Sequence, residues 1–282
     1  MLNELVNRLT RYDKGEARSI VRLLLECSFG LSYTDICAGA LDRLSADDSA
    51  LLETLMQRLE KGEPVQYVTG YSSFCNRDFM VRPGVLIPRP ETEELVEEII
   101  RSSSEENKGK HILDIGTGSG CIAITLALDI PDAEVTAWDI SEEALAIAQE
   151  NAKALGARVR FQNVDVLSKN KTLLYGNEDY DTIVSNPPYI CVREAEGMES
   201  NVLEHEPHTA LFVPDDDPLL FYRHIAEYAK TALKHGGRLF FEINLLYAEE
   251  IKEMLAEKGF VNIFVKEDQF GKQRIIKAQR KL

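Results

Sequence analysis

The sequence has few of the residues that build disulfide frameworks and metal centres. Its 282 residues include five cysteines and five histidines, and no two cysteines form a Cys-x-x-Cys pair. An odd number of dispersed cysteines argues against a disulfide scaffold and against a cysteine zinc site. His205 and His208 have a spacing compatible with a metal, but Pro207 between them interrupts a regular helix face. We therefore expect no metal centre.

Long apolar runs and an excess of positive charge are also missing. No stretch approaches the roughly 20 apolar residues of a membrane-spanning helix, and the first residues lack the basic flank and apolar core of a signal peptide. The net charge of −15 weighs against an extended nucleic-acid footprint, because neutralising phosphates requires clustered Lys and Arg. We expect a cytoplasmic protein, monomeric, with no membrane association and no stable nucleic-acid binding.

The hydrophobic pattern divides the chain into three parts. Residues 1–63 carry apolar positions at helical spacing and almost no strand signal, which predicts a small α-helical bundle. Residues 64–87 change period, and the runs Val65 to Gly70 and Phe79 to Val81 predict a β-hairpin linker or an irregular arm that joins two domains. Residues 88–282 begin with a helix whose first turn holds Pro90, and we expect them to form one larger domain.

Strands and helices then alternate regularly, which predicts a mostly parallel, doubly wound α/β sheet with an antiparallel hairpin at its C-terminal end. A loop over Ser102 to Lys110 and an undefined helix or loop between Phe161 and Thr182 interrupt the pattern. The predicted strands are His111 to Ile115, Glu134 to Asp139, Val159 to Phe161, Thr182 to Val184, Gly237 to Ile243, Phe260 to Val265 and Gln273 to Lys277.

A glycine-rich loop follows the first strand of this series. The residues Gly116, Thr117, Gly118, Ser119 and Gly120 open a helix, so their backbone can turn tightly and approach a ligand closely. The spacing Gly-x-Gly-x-Gly differs from the dinucleotide fingerprint. Asp114 places a carboxylate just ahead of the turn, which suits a cationic or amine-bearing ligand better than a pyrophosphate. Such a loop is also compatible with tight strand-to-helix packing alone.

Two further acids end the next strands. Asp139 lies about 20 residues beyond the glycine loop, the usual place for an acid that holds a ribose diol. Asp165 follows the third strand and could accept a hydrogen bond from an adenine amino group while Val166 packs on the ring. Each acid alone is more often a helix cap or a solvated loop residue. Because the carboxyl ends of parallel strands share one edge of the sheet, together they predict a cofactor site.

The stretch Asn186, Pro187, Pro188 and Tyr189 follows the apolar strand that ends at Val184. Two consecutive prolines stop both helix and further strand pairing. The result is a rigid polar loop at the carboxyl end of a strand, where open α/β sheets bind ligands.

These segments together resemble the bacterial release-factor glutamine methyltransferases, a family of class I enzymes that use S-adenosylmethionine. The resemblance covers nearly the whole chain. It rests on the glycine loop, the Asn186 to Tyr189 loop, and the segment Pro88 to Glu93, with Val65 to Gly70 and Glu206 to Leu211 as further matching stretches. It implies a Rossmann-like methyltransferase domain, and an N-terminal helical bundle that helps to dock the release factor.

The family's site residues transfer onto this sequence by their motifs. The cofactor site of S-adenosylmethionine (and of its product S-adenosylhomocysteine) maps to Gly116 through Gly120, Asp139, Asp165, Val166 and Asn186. Some relatives have an aromatic residue where this chain has Val166. The catalytic residues map to Asn186, Pro187 and Tyr189, and the glutamine-binding residues to Asn186 through Tyr189 with Arg89.

The chemistry of such a site follows from the acceptor. A glutamine amide nitrogen is a poor nucleophile because its lone pair is delocalised. The Asn186 side-chain oxygen and the Pro187 carbonyl can accept its two N–H groups and aim the lone pair at the methyl group, while Tyr189 stacks on the planar amide. The same loop chemistry also serves adenine N6 methylation of DNA or RNA, which is the alternative. A non-catalytic cofactor-binding scaffold is a third hypothesis.

Overall fold

The computed structural model describes residues 1–104, 110–168 and 180–281. Clustering of backbone contacts separates two compact units. The first comprises Met1–Tyr71, Val81–Pro83 and Met198–Glu206, and the second comprises Ser72–Met80, Gly84–Gly197 and Pro207–Leu282. The predicted domain boundaries at residues 63 and 87 stay a prediction. Within the described ranges, no helix is long and apolar enough to cross a membrane.

The helices of the described residues are, in chain order, α1 (Leu2–Arg8), α2 (Lys14–Phe29), α3 (Tyr33–Cys37), α4 (Ala46–Glu60), α5 (Val65–Thr69), α6 (Pro90–Ser104), α7 (Cys121–Asp129), α8 (Glu142–Leu155), α9 (Ser200–His205), α10 (His208–Leu211), α11 (Leu220–Ala232) and α12 (Ala248–Glu257). The strands are β1 (Tyr71–Phe74), β2 (Arg77–Met80), β3 (His111–Ile115), β4 (Glu134–Asp139), β5 (Val159–Asn163), β6 (Tyr180–Ser185), β7 (Ile190–Cys191), β8 (Phe212–Val213), β9 (Leu233–Glu242), β10 (Phe260–Glu267) and β11 (Gln273–Arg280).

The first unit is helical, as the sequence predicts. Its apolar stripes meet in one core, which includes the fully buried side chains of Val21, Leu24 and Leu25. The helices begin at side chains that accept backbone N–H groups. Asp13 accepts from Gly15 and Glu16 at the start of α2, and Ser45 accepts from Asp48 at the start of α4, each satisfying donors that have no partner inside the helix.

The predicted strand over Val65 to Gly70 is wrong, because residues Val65–Thr69 form helix α5. Pro64 precedes the helix with its φ fixed at −55°, and Gly70 ends it in a left-handed conformation at φ 85°. The Thr69 hydroxyl donates back to the Val65 carbonyl over 2.9 Å. Burial of Val65, Tyr67 and Val68 in this single turn outweighs their preference for strands.

The hairpin of this region lies a few residues later than predicted. It pairs β1 with β2. Cys75 and Asn76 form its turn with φ values of 47° and 58°, the left-handed pair that a two-residue hairpin requires. The predicted helix at Pro90 is confirmed as α6, and it takes up Ser102 to Ser104 of the predicted loop. The rest of that loop to residue 109, and most of the undefined stretch between Phe161 and Thr182, lie outside the described residues.

The second unit is built on one seven-stranded sheet of order β10-β11-β9-β6-β3-β4-β5. Strands β5, β4, β3, β6 and β9 run parallel, and β11 pairs antiparallel with both β9 and β10. The predicted α/β fold with an antiparallel C-terminal hairpin is confirmed. Apolar side chains of the helices cover both faces, in two clusters that include the fully buried Phe240 and Phe241.

The sheet changes direction at β3. From there the chain builds outward through β4 and β5 on one side, and then through β6 and β9 on the other. The carboxyl ends of β3 and β6 are neighbours, with Ile115 in register with Ser185. Such a switch point leaves a crevice at the carboxyl edge of the sheet. The glycine turn after β3 and the Asn186 loop after β6 both begin at this edge.

Candidate functional site

The glycine turn joins β3 to α7 and is tied to the neighbouring strand. The backbone N–H groups of Gly116 and Thr117 both donate to the Trp138 carbonyl on β4, over 2.8 and 3.0 Å. Gly116, Gly118 and Gly120 have φ values of 77°, 55° and 83°. Side chains other than hydrogen are strained in this left-handed region. The turn therefore requires glycine at all three positions.

The last two of these glycines serve different purposes. A Cβ atom on Gly120 would lie 2.8 Å from Ile124 Cδ1 and 3.1 Å from Ala148 Cβ, whereas a Cβ atom on Gly118 would meet nothing within 4 Å. Gly120 is consequently required by the packing of α7 and α8. Gly118 instead borders open space, which leaves its backbone accessible to a ligand.

Asp114 lies beneath the turn and is completely buried. The Thr117 hydroxyl donates to its Oδ2 atom over 2.6 Å, and its Oδ1 atom has no partner among the described residues. Burial raises the pKa of Asp114 to about 7, with the nearby Asp139 adding to the effect and the Thr117 bond opposing it. This carboxyl group is therefore poised to lose its proton when a cation approaches.

Asp139 ends β4 and is hydrogen-bonded to the glycine turn. Its Oδ2 atom accepts the Gly118 N–H over 2.8 Å, and its Oδ1 atom accepts the Ser141 N–H over 2.9 Å. Burial raises the pKa of Asp139 despite these bonds. Each carboxylate oxygen can accept more than one hydrogen bond. The residue can therefore hold the turn in place and still accept from hydroxyl groups of a ligand.

The two residues expected at the adenine end differ in exposure. Asp165 is exposed, and its Oδ1 atom accepts the Leu167 N–H over 2.8 Å. Val166 is only 9% exposed and belongs to the core cluster of the sheet, so little of its surface is left for a ring. Ile140, directly after Asp139, is 62% exposed. The sequence interpretation missed Ile140, although an isoleucine next to an acid at the end of a strand was the available signal.

The Asn186 to Tyr189 loop meets the glycine turn at the switch point. The Ser185 hydroxyl donates to the Ile115 carbonyl over 2.6 Å and so links the ends of β6 and β3. A Cβ atom on Gly116 would lie 4.0 Å from the Asn186 carbonyl oxygen. The two loops that the sequence places far apart are therefore in van der Waals reach of each other.

The side chain of Asn186 continues into a short chain of hydrogen bonds. Its Nδ2 atom donates to Thr92 Oγ1 over 3.2 Å, and the Thr92 hydroxyl donates to Glu242 Oε2 over 2.6 Å. The Tyr189 hydroxyl donates to the other oxygen of the same carboxylate, Glu242 Oε1, over 3.1 Å. Thr92 comes from α6 and Glu242 from the end of β9, so two separate segments converge on the loop.

Burial is the largest influence on the pKa values of the acidic groups in this series of hydrogen bonds. It raises the pKa of Glu242, against the opposing effects of the Thr92 and Tyr189 hydroxyls and of the Arg274 guanidinium. It also raises the pKa of Tyr189, and the neighbouring Glu242 adds to this shift. The tyrosine hydroxyl therefore keeps its proton and remains a donor to the carboxylate.

The end of β9 holds the loop at a second point. The Asn244 Nδ2 atom donates to the Tyr189 carbonyl over 3.1 Å and to Glu194 Oε2 over 3.1 Å. Glu194 in turn accepts the Cys191 N–H over 2.9 Å. The parallel pairing of β7 with β8 fixes the chain immediately after Tyr189. The loop is rigid because its prolines and these bonds restrict it together.

Arg89 lies near the loop. It opposes the rise in the pKa of Tyr189, which places its guanidinium within electrostatic range of that hydroxyl, and its carbonyl accepts the Thr92 N–H over 3.1 Å. Pro187 is buried and Pro188 half-buried. Sequence reasoning missed Thr92 and Glu242. The available signal for Glu242 was a carboxylate closing the apolar run Leu239 to Phe241.

The residues at this edge fit the S-adenosylmethionine expected from the sequence. The open space at Gly118 admits a ligand, and the unpartnered Asp114 oxygen suits a cationic group. Asp139 and Ile140 offer an acceptor and an apolar surface beside it. No cluster of metal-binding side chains occurs in the part of the chain that the structure describes.

The sequence is similar to known protein families and to individual bacterial proteins. Residues 1–70 match the PrmC N-terminal domain family, and residues 92–205 match the Methyltransferase small domain family. The release factor glutamine methyltransferase of Bacteroides thetaiotaomicron is 47% identical over 98% of this chain and 100% of the relative. The enzyme of the same name from Flavobacterium psychrophilum is 43% identical over 95% of this chain and 93% of the relative.

A solved structure supports the fold. The 16S rRNA N2 G1207 methyltransferase of Thermus thermophilus, determined with AdoMet and guanosine, has a TM-score of 0.54 at 20% identity, over 75% of this chain and 50% of that one. At this identity the likeness establishes the class I methyltransferase fold alone. The similarity over full length to the two bacterial relatives decides the family: the chain belongs to the release factor glutamine methyltransferases.

Proposed function

We propose that this enzyme transfers a methyl group from S-adenosylmethionine to the side-chain amide nitrogen of the glutamine in the Gly-Gly-Gln motif of peptide chain release factors. The observation that carries the proposal is the meeting of the glycine turn with Asn186 at the switch point of the sheet. A donor site and an amide-shaped acceptor site thereby share one crevice. The names of the full-length relatives specify the substrate class.

The bound cofactor supplies a methyl group made electrophilic by its positively charged sulfur. Gly116 through Gly120, with Asp139 and Asp165, hold the cofactor in this proposal, and the exposed Ile140 side chain takes over from Val166 as the apolar surface for the adenine. Asp114 compensates positive charge beneath the turn. Transfer of the methyl group leaves the neutral product S-adenosylhomocysteine, and the methylated nitrogen then loses one N–H proton to solvent, so none of these residues has to remove a proton beforehand.

Asn186 and Pro187 orient the acceptor amide. The Nδ2 group of Asn186 is already committed to Thr92, so the Oδ1 atom is the one left to accept an N–H from the substrate. The Pro187 carbonyl accepts the second N–H, and the lone pair of the nitrogen is then held perpendicular to the amide plane. Tyr189 and Pro188 supply the flat apolar walls of the pocket, and Arg89 supports Tyr189.

Incubation with labelled cofactor tests the proposal. Purified release factor should take up label, and release factor whose Gly-Gly-Gln glutamine is replaced by alanine should not. Total cellular RNA and DNA, offered in parallel, should remain unlabelled. Label on the nucleic acid with none on the release factor would instead support the adenine alternative, and cofactor binding without any transfer would support a scaffold.

The helical unit is proposed to help dock the release factor. The support is its match to the PrmC N-terminal domain family, together with the exposed Tyr33 and Leu51 side chains. Alanine at these positions should raise KM for intact release factor and leave methylation of a short Gly-Gly-Gln peptide unchanged. A cytoplasmic location and a monomeric state complete the proposal, and light scattering of the purified protein tests the latter.

A further inference from the structure

The amide of Asn186 can serve its proposed purpose in only one of two orientations. A flip about the Cβ–Cγ bond exchanges the Oδ1 acceptor with the Nδ2 donor, and the two atoms occupy nearly the same space. Shape alone therefore does not select the productive orientation. Some neighbouring group must distinguish a donor from an acceptor.

Thr92 is the neighbour that the Asn186 side chain contacts. A threonine hydroxyl carries one proton and can also accept, so by itself it would pair with either end of the amide. Its own proton has to be committed elsewhere before it can act as an acceptor only. Thr92 is 3% exposed, and solvent water is thus not the group that fixes its proton.

Glu242 commits that proton. An ionised carboxylate accepts hydrogen bonds and donates none, so the 2.6 Å contact between Thr92 Oγ1 and Glu242 Oε2 sets the direction of the Thr92 hydroxyl. The other carboxylate oxygen of Glu242 accepts a hydrogen bond from the Tyr189 hydroxyl. Glu242 is 2% exposed, and burying a carboxylate costs free energy. An apolar residue would fill the end of β9 without that cost.

We propose that Glu242 and Thr92 are positioning residues, which orient the Asn186 amide so that its oxygen faces the acceptor glutamine. The proposal rests on the function proposed above for the loop. The carboxylate accepts the Thr92 proton, so the Thr92 oxygen is left to accept a hydrogen bond from the Asn186 NH₂ group. The Tyr189 hydroxyl also donates to Glu242, so this one residue holds both ends of the Asn186 to Tyr189 loop.

Thr92→Val and Thr92→Ser form a matched pair of variants. Valine keeps the branched shape and removes the hydroxyl, and serine keeps the hydroxyl. Because burial raises the pKa of Glu242, assays are run at the alkaline end of the stable pH range, which favours its ionised form. With release factor as substrate, we expect Thr92→Val to lower kcat about 10- to 100-fold, the scale of a misplaced catalytic group, with the cofactor Kd nearly unchanged. Its Tm should fall, because the buried Glu242 carboxylate loses a hydrogen bond, so kcat is compared at a temperature where both proteins are fully folded. Thr92→Ser should restore most of kcat.

A second readout does not depend on the substrate. Protein labelled with isotopic nitrogen in asparagine reports the side-chain NH₂ signals by NMR, and Asn186→Ala identifies the pair that belongs to Asn186. In the native protein this pair should exchange slowly with solvent and shift as Glu242 titrates. In Thr92→Val the exchange should speed up, and in Glu242→Gln the titration should vanish.

The two readouts separate the possible failures. If native protein methylates no glutamine while the NMR signals behave as expected, the proposed function fails and the orienting contact stands. If Thr92→Val keeps native kcat, or loses activity only in proportion to its loss of folded protein, the proposal is overturned. Unchanged exchange of the Asn186 NH₂ group in Thr92→Val would overturn it as well, even where kcat falls.

Discussion

Asp139 accepts the backbone N–H of Gly118 over 2.8 Å, so the acid at the end of one strand fixes the glycine turn at the end of its neighbour. The same carboxylate caps the start of the next segment by accepting from Ser141. A residue expected only to hold a ribose is thus also part of the frame of the site. Its removal should affect both the turn and the ligand.

Asp139→Asn tests this double role. The asparagine amide has one oxygen, which can accept a hydrogen bond, and one NH₂ group, which cannot. Either the Gly118 N–H or the Ser141 N–H therefore loses its acceptor. A buried donor left without a partner costs about 1–3 kcal/mol. We expect lower Tm without ligand and at least about tenfold weaker S-adenosylmethionine binding by calorimetry, since about 1.4 kcal/mol is tenfold in affinity. Asp165→Asn, the same change at an exposed acid, is the control for Tm, and an equal fall in Tm would contradict the account.

Gly118→Ala and Gly120→Ala separate the ligand side of the turn from its packing side. Both alanines adopt a left-handed φ, which costs about 1–2 kcal/mol, but only Gly120→Ala also collides with Ile124 and Ala148. Overpacking adds about 1–3 kcal/mol, so Gly120→Ala should have clearly the lower Tm. Gly118→Ala should lose cofactor affinity out of proportion to its stability. Equal Tm values for the two proteins would refute this division.

Asp114 predicts a proton released on cofactor binding. Its pKa of about 7 in the folded protein leaves it partly protonated near neutral pH, and the cationic cofactor should favour the ionised form. Calorimetry in buffers of different ionisation enthalpy measures the released proton directly. Asp114→Asn should release none. Binding with no proton exchange in the native protein near pH 7 would contradict the charge assigned to this group.

The same group makes stability depend on pH. The pKa of Asp114 rises from its ordinary 3.8 to about 7 on folding, so the folded chain binds the proton more tightly than the unfolded one. Its contribution to the free energy of unfolding is therefore full below about pH 4 and is lost as pH rises towards 7, by up to about 1.4 kcal/mol per pH unit. Denaturant titrations of native protein and Asp114→Asn across this window should diverge with that sign.

Asn186→Ala removes the proposed acceptor of the substrate N–H. Losing one preorganised polar contact in comparable sites costs roughly 10²–10³ in rate. We expect that loss in single-turnover methyl transfer, with cofactor affinity changed only modestly. A fall in rate of less than about tenfold would show that Asn186 does not orient the acceptor.

The parts of the site that local rules dictate could be predicted from the sequence. Glycines in a tight turn, consecutive prolines and acids at strand ends each restrict a few neighbouring residues, so the sequence predicts a turn at Gly116 and a loop at Asn186, and their combination indicates a site. Parallel strand order then brings them to one edge. The misread turn at Val65 shows the limit, since burial there overrode a strand-like run.

Contacts across the fold were not predictable in the same way. Thr92 and Glu242 are 150 residues apart in the chain, and neither has a local pattern that points to the other. Only the packing of α6 against the end of β9 brings them together. The exposure of Ile140 and the burial of Val166 likewise depend on how helices cover the sheet, which a single sequence does not specify.

Mass spectrometry of the product shows whether the methyl acceptor is a glutamine nitrogen. Release factor is treated with the enzyme and cofactor, digested, and the peptide that contains Gly-Gly-Gln is fragmented. We expect one added methyl group on the side chain of that glutamine with native enzyme, and much less of this product with Asn186→Ala. An unmodified glutamine, or a methyl group at another residue of the release factor, would contradict this expectation.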